Sequence, residues 1–236
     1  MIRELFEKHE TPAVIGLIVL YVGVNSLCLQ SCETTDFQSA LVNTVFSAFL
    51  LCLIICLNRT EYYGLRGVRE AKSYLYFAPL VLIASVNLWG GVRVENTAGE
   101  ITFHCITMLN VGLIEELIFR GFLYRMMEKN DPKAAAIVSA VTFGMGHIVN
   151  LLNGAELTET LLQLCYAMAI GWLFVVIFRK SRSLLPCIIT HAVLNALSLF
   201  CVKSDRLLYA ASALLVAVSL GYAIYIEKTV NEETMK

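Results

Sequence analysis

Gly112-Leu113-Ile114-Glu115-Glu116-Leu117-Ile118-Phe119-Arg120-Gly121 places two adjacent carboxylates and an arginine inside an apolar run. A charged side chain at bilayer depth costs about 2.5–3.5 kcal/mol on insertion scales, and neighbouring carboxylates also repel. A functional site is the usual reason such a cluster persists. A structural Glu116–Arg120 pair at i,i+4 would account for two of the three charges. It leaves Glu115 without a partner.

Working outward, the composition is that of a membrane chain. Hydrophobic residues make up 58%, charged residues 16%, and the mean hydropathy is +0.69. A soluble domain carries roughly 25% charged residues. The net charge of −1 argues against nucleic-acid partners. Apolar runs of spanning length, about 17–25 residues, fall at about 12–30, 38–57, 73–90, 101–125, 133–152, 158–178, 184–202 and 207–226. Eight in succession leave too little polar chain for a water-facing shell. The expected fold is all-α: a polytopic membrane helical bundle of about eight transmembrane helices, one domain over 1–236.

Lysine and arginine placement sets orientation. With a cytoplasmic N-terminus, 15 of the 18 basic residues fall in inside segments; only Arg93, Lys203 and Arg206 fall outside. That split supports an N-in, C-in topology. The first span is not read as a signal peptide: its leader is as acidic as basic, and no A-x-A site follows. Leu29-Gln30-Ser31-Cys32 is a poor lipoprotein box. No C-x-x-C occurs, and the eight cysteines read as free thiols in or beside apolar runs. The stretch Arg59–Lys72 reads as a cytoplasmic interfacial loop, anchoring rather than substrate-guiding. Asp131-Pro132 marks a helix start.

The other polar residues inside spans are patterned. Thr142-Phe143-Gly144-Met145-Gly146-His147 lies in the fifth span and Thr190-His191-Ala192-Val193-Leu194-Asn195 in the seventh. His191 and Asn195 share a helix face. A lone intramembrane histidine is more often a satisfied core residue, but here the depths coincide. Counted from the cytoplasmic ends, Glu115 lies about 15 Å deep, His147 about 20 Å, His191 about 10 Å and Asn195 about 16 Å. Three helices thus bring ionisable or amide groups to one slab, expected to form a cavity reached from the cytoplasmic side. Gly144 and Gly146 suit close helix approach beside His147.

Such a set suits peptide hydrolysis. The reaction needs a base for water, donors for the developing oxyanion and a proton for the leaving amine. Glutamate and histidine are also competent zinc ligands. No G-x-S-x-G elbow supports a serine mechanism, and H-E-x-x-H is absent.

Glu115-Glu116-x-x-x-Arg120, Phe143-x-x-x-His147 and His191-x-x-x-Asn195 resemble the three signature motifs of the CPBP intramembrane proteases. That family includes the type II CAAX-processing endopeptidases and the bacterial Abi proteins. The surrounding Glu-Glu-Leu-Ile-Phe-Arg-Gly, Ser139–Gly144 and Leu184-Leu185-Pro186 are similar too, and the likeness covers a core of about 105–200. The resemblance implies that Glu115 activates water with help from His147. It implies that His191 and Asn195 stabilise the oxyanion, while Glu116 and Arg120 orient the site. The cofactor stays open between none and a divalent metal such as zinc; a metal would fall to Glu115, His147 and His191. With two histidines and two glutamates in the slab, and asparagine a poor zinc ligand, the balance tips slightly to a metal-free site.

The implied partners are membrane lipid and a peptide or membrane-protein substrate, its lipidation undetermined. The chain's own Glu-Glu-Thr-Met-Lys end is no CAAX box. The expected location is a prokaryotic plasma membrane. A non-proteolytic immunity or scaffold protein on the same fold is one alternative. A proton-coupled transporter with Glu115 or Glu116 as relay is another, although the repeats and broken helices it would call for are not visible.

Overall fold

In hydrocarbon every backbone N–H and C=O needs an internal partner, so an apolar run crossing a bilayer becomes a helix. The computed structural model describes residues 2–68, 77–202 and 204–230, and these are almost entirely helical. The helices are α1 (Ile2–Lys8), α2 (Glu10–Leu29), α3 (Phe37–Cys56), α4 (Leu80–Ser85), α5 (Ala98–Glu116), α6 (Arg125–Glu128), α7 (Pro132–Gly146), α8 (Leu157–Ser181), α9 (Leu185–Leu197) and α10 (Asp205–Thr229). A π-helical stretch, Leu117–Tyr124, makes α5 and α6 one continuous rod. Short 3-10 turns extend α4, α7 and α9.

Among the described residues, six helices are long and apolar enough to cross a membrane, against about eight expected over the whole chain. The seventh expected span is a shorter apolar helix, Leu185–Phe200. The third is shorter still: α4 and a 3-10 turn, Val86–Leu88. Residues 73–76 of that run, with Arg69, Lys72, Lys203 and Lys236, lie outside the described residues.

Much of the surface is apolar, and the largely apolar interior also holds polar side chains, as a lipid solvent favours. Val19, Val45, Ile137, Leu161, Ile189 and Ile224 point outward, whereas Ser39, Asn43, Thr107, Ser139 and Ser219 are buried. With no hydrophobic drive between helices in lipid, small residues set their approach. A Cβ on Gly112 of α5 would stand 3.0 Å from the Ala192 backbone nitrogen of α9. One on Gly144 of α7 would meet Met168 and Leu164 of α8. The expected role of Gly144 therefore holds, while a Cβ on Gly146 would meet nothing.

Local chemistry sets the helix starts. Thr97 and Glu100 form a reciprocal capping box at α5. The Asp131 carboxylate accepts from the Lys133 and Ala134 amides ahead of α7, as the Asp-Pro pair predicts.

The basic loops gather at one end of the bundle. There Arg59 pairs with Glu7, Lys129 with Glu10, Arg125 and Arg182 with Glu128, and Arg179 with Glu227. Arg3 and Arg59 beside Glu7 hold its carboxyl below the usual carboxylate range. Residues 59–68 of the segment expected to lie on the membrane as an anchor pack onto the helices, and residues 69–72 lie outside the described residues. Tyr63 is buried against Phe122, and the Leu184 amide donates to the Gly64 carbonyl. Gly64 has φ +83°, and a Cβ there would stand 2.6 Å from the Phe178 ring. At the opposite end an antiparallel bridge joins Val92 to Cys201. All eight cysteines are free.

Candidate active site

Glu115 and Glu116 end α5, immediately before the π-helical stretch. Wide turns of this kind are rare and concentrate at functional positions. Glu116 is fully buried and faces Arg120, also fully buried, with Nη1 3.1 Å from Oε1. The Arg120 guanidinium lies 4.0 Å from the centre of the Phe143 ring and 5.7 Å from that of Phe174. A cation over an aromatic face is stabilised by the ring quadrupole, more so away from water. A Cβ on Gly171 of α8 would come within 3.1 Å of Arg120 Nη2, so the absent side chain makes room for the guanidinium. The pair anticipated at i,i+4 is present, as part of a larger network.

His191 on α9 joins the two glutamates. Its Nδ1 lies 2.9 Å from Glu116 Oε1, and its Nε2 lies 3.7 Å from Glu115 Oε2. Phe143 stands edge-on to both histidine rings, with centroids 5.4 Å from His147 and 5.6 Å from His191. Phe119 meets Phe143 in turn, and the Ser139 hydroxyl donates to the Phe119 carbonyl. Phe143 thus sets the spacing of the two imidazoles and covers the arginine.

Glu115 does have partners. The Tyr21 hydroxyl on α2 donates to its Oε1 at 2.9 Å, and Glu115 is largely buried. Sequence reasoning missed Tyr21, an aromatic in an apolar helix with no pattern to mark it. It also missed His104 on α5. The Nδ1 of His104 lies 3.0 Å from Thr34 Oγ1, and its Nε2 lies 3.4 Å from the Asn195 carbonyl. Its depth on the helix that carries both glutamates was the available signal.

Glu115, His147, His191 and Asn195 all line one cavity of about 530 Å³. Glu116 and Arg120 stand behind it, at no exposure. Its far lining includes Thr34, Glu159, Ser198, Ser204 and Asp205. Those residues belong to the ends of α2, α8, α9 and α10 away from the basic loops. The groups share one cavity, and it extends from them toward those helix ends.

Glu115, His147 and His191 were the set to which a metal would fall. Among the described residues, no three His, Cys, Asp or Glu side chains converge as a metal-binding group. As placed, this donor set does not form a closed metal site.

Comparison with known proteins matches one family. No curated protein and no solved structure matches the chain. Residues 97–197 match the family described as Type II CAAX prenyl endopeptidase Rce1-like. The match begins at the Thr97 cap of α5 and ends at the last residue of α9, enclosing all six motif residues. Segment 97–197 is thus an Rce1-like domain of the CPBP/CAAX protease family.

Proposed function

We propose that the protein is an intramembrane endopeptidase that hydrolyses a peptide bond in a membrane-associated peptide or protein, with Glu115 as general base. Single-domain organisation with a catalytic core of about 105–200, an N-in, C-in topology and a prokaryotic plasma membrane belong to the same proposal. The observation that carries it is the convergence of Glu115, His147, His191 and Asn195, from three helices, on one cavity.

In this reading Tyr21 holds Glu115 Oε1, leaving Oε2 directed toward His191. A water between Glu115 Oε2 and the imidazoles gives a proton to the carboxylate as its oxygen attacks the scissile carbonyl. Asn195 lines the cavity and donates its amide to the oxyanion. The Glu115 carboxylic acid then passes the proton to the leaving nitrogen, and the C–N bond breaks.

Glu116 orients His191. Glu116 Oε1 stands against both Arg120 Nη1 and His191 Nδ1, which fixes the imidazole with Nε2 toward Glu115. This supports a role for His191 beside the attacking water, with Asn195 as an oxyanion donor. His147 closes the cavity beside them.

The test is a quantitative comparison of membrane-fraction peptides from cells producing the wild-type protein or Glu115→Gln at equal level. Product peptides present with the wild type and absent with the variant are expected. The same products at wild-type abundance from the variant would overturn the assignment.

A further inference from the structure

At the end of α9 the winding tightens beneath Asn195. The Ser198 amide donates to the Asn195 carbonyl, where a continuing α-helix would pair it with the Leu194 carbonyl. Leu194 is buried, and a backbone carbonyl away from water is costly to leave unpaired.

Asn87 provides the donor that α9 does not. Its Nδ2 reaches the Leu194 carbonyl at 2.7 Å, from the 3-10 turn Val86–Leu88. A carbonyl only accepts, so the contact fixes which end of the Asn87 amide faces it. His104 on α5 makes the neighbouring contact. Its Nε2 lies 3.4 Å from the Asn195 carbonyl, and its Nδ1 lies 3.0 Å from Thr34 Oγ1. The two peptide planes that meet at the Asn195 Cα are thus each held by a side chain from outside α9. The turn that carries Asn87 is itself docked on the chain that follows α9. The Arg93 amide donates to the Phe200 carbonyl at 3.0 Å, and a Cβ on Gly90 would stand 3.0 Å from the Val202 carbonyl. Asn87 and Asn195 line the same cavity.

On the proteolytic reading, in which Asn195 donates to the oxyanion, we infer that Asn87 is a positioning residue for that donor. Its amide fixes the Leu194–Asn195 peptide, and with it the direction in which the Asn195 side chain leaves α9; His104 is the second support. An oxyanion donor acts only where it is aimed at the developing charge, and a misplacement of about 1 Å can cost about 10²-fold in rate. Asn87 precedes the matched segment 97–197, so the aim of a motif residue depends on a side chain the motifs do not include.

The experiment uses the full-length protein in detergent. Asn87→Leu keeps the size of the side chain and removes the donor. Spectra are recorded with 13C on leucine carbonyls and 15N on asparagine amides. The chain holds four Leu–Asn pairs, at 57–58, 109–110, 152–153 and 194–195, and Asn195→Ala identifies the signal of the last. Asn87→Leu is expected to shift that signal and leave the other three in place. An unmoved signal, or movement of all four, overturns the inference.

Turnover is measured on a product found by the peptide comparison, at temperatures where each variant is folded. Asn87→Leu is expected to lower kcat by about tenfold to 10²-fold with KM little changed. In the Asn195→Ala background the same substitution is expected to cost less than about twofold. Equal losses in both backgrounds, or an unchanged kcat, overturn the inference. Where Asn87→Leu fails to accumulate, Asn87→Ala takes its place in both arms. The spectra need no turnover, so failure of the proteolytic reading shows separately, in the Glu115→Gln peptide comparison.

Discussion

Tyr21 and Glu115 lie 94 positions apart in sequence, yet the Tyr21 hydroxyl reaches Glu115 Oε1 at 2.9 Å. Helix α2 lies outside the matched segment 97–197, so the site draws on a helix the family motifs do not include. Tyr21→Phe keeps the ring, which packs 5.4 Å from Phe46, and removes only the donor. A hydrogen bond to a charged group contributes about 1.5–3 kcal/mol. A fall in kcat of about tenfold or more is expected at temperatures where the variant is still folded, with a lowered unfolding midpoint. Unchanged kcat would make Tyr21 a packing residue.

Removing the base should separate chemistry from folding. Glu115→Gln is expected to lose at least about 10²-fold in activity, the lower end for general-base catalysis, while the protein still inserts. Asn195→Ala is expected to lose about 10²–10³-fold as an oxyanion donor. Purified variants of normal thermal stability, assayed against a product identified by the peptide comparison, give both numbers.

Glu116 carries more than its pairing with Arg120. Its Oε1 also lies 2.9 Å from His191 Nδ1, at no exposure. Glu116→Gln leaves Arg120 as a buried cation without its counter-charge, which costs about 3–5 kcal/mol. A lower melting temperature and lower activity are expected together. Adding Arg120→Gln should recover part of the stability but not the activity. A Glu116→Gln protein that melts like the wild type would remove this account.

Gly112→Ala should force α5 and α9 apart. The new Cβ would face the Ala192 backbone at 3.0–3.2 Å, where no flexible side chain can yield. Overpacking of this kind costs about 1–3 kcal/mol. The same displacement would lengthen the Glu116–His191 contact, so activity should fall at temperatures where the variant is still folded. Activity tracking the folded fraction alone would rule out that coupling.

Dialysis against a chelator is expected to leave activity unchanged, because among the described residues no three His, Cys, Asp or Glu side chains are placed to hold a metal ion. Loss of activity restored by zinc would show that a metal draws Glu115, His147 and His191 together.

Much of the site was legible because charged and amide groups are conspicuous inside apolar runs. Glu115, Glu116, Arg120, His191 and Asn195 announce themselves by their cost, and helical spacing alone put His191 and Asn195 on one face. Tyr21 and His104 did not stand out, because an aromatic or a single histidine in an apolar helix has an ordinary packing explanation. Their roles exist only through contacts with α5 and α9. The π-helical stretch after Glu116 left no mark in hydropathy, which does not distinguish one apolar helical winding from another. Counting apolar residues also set the run that holds α9 slightly long: an apolar run bounds the length of a helix without requiring the helix to fill it.

That shortness of α9 has its own consequence. Its helical length with the following 3-10 turn is 16 residues, Leu185–Phe200, about 25 Å at helical rises, against a hydrocarbon core of about 30 Å. Ile189 and Val193 on this helix face outward, so lipid meets it directly. A span too short for its bilayer thins the adjacent leaflet, at a fraction of a kcal/mol per Å of mismatch. The helix that carries His191 and Asn195 is therefore also where the membrane has to yield, and lipid acyl-chain length becomes a variable of the site.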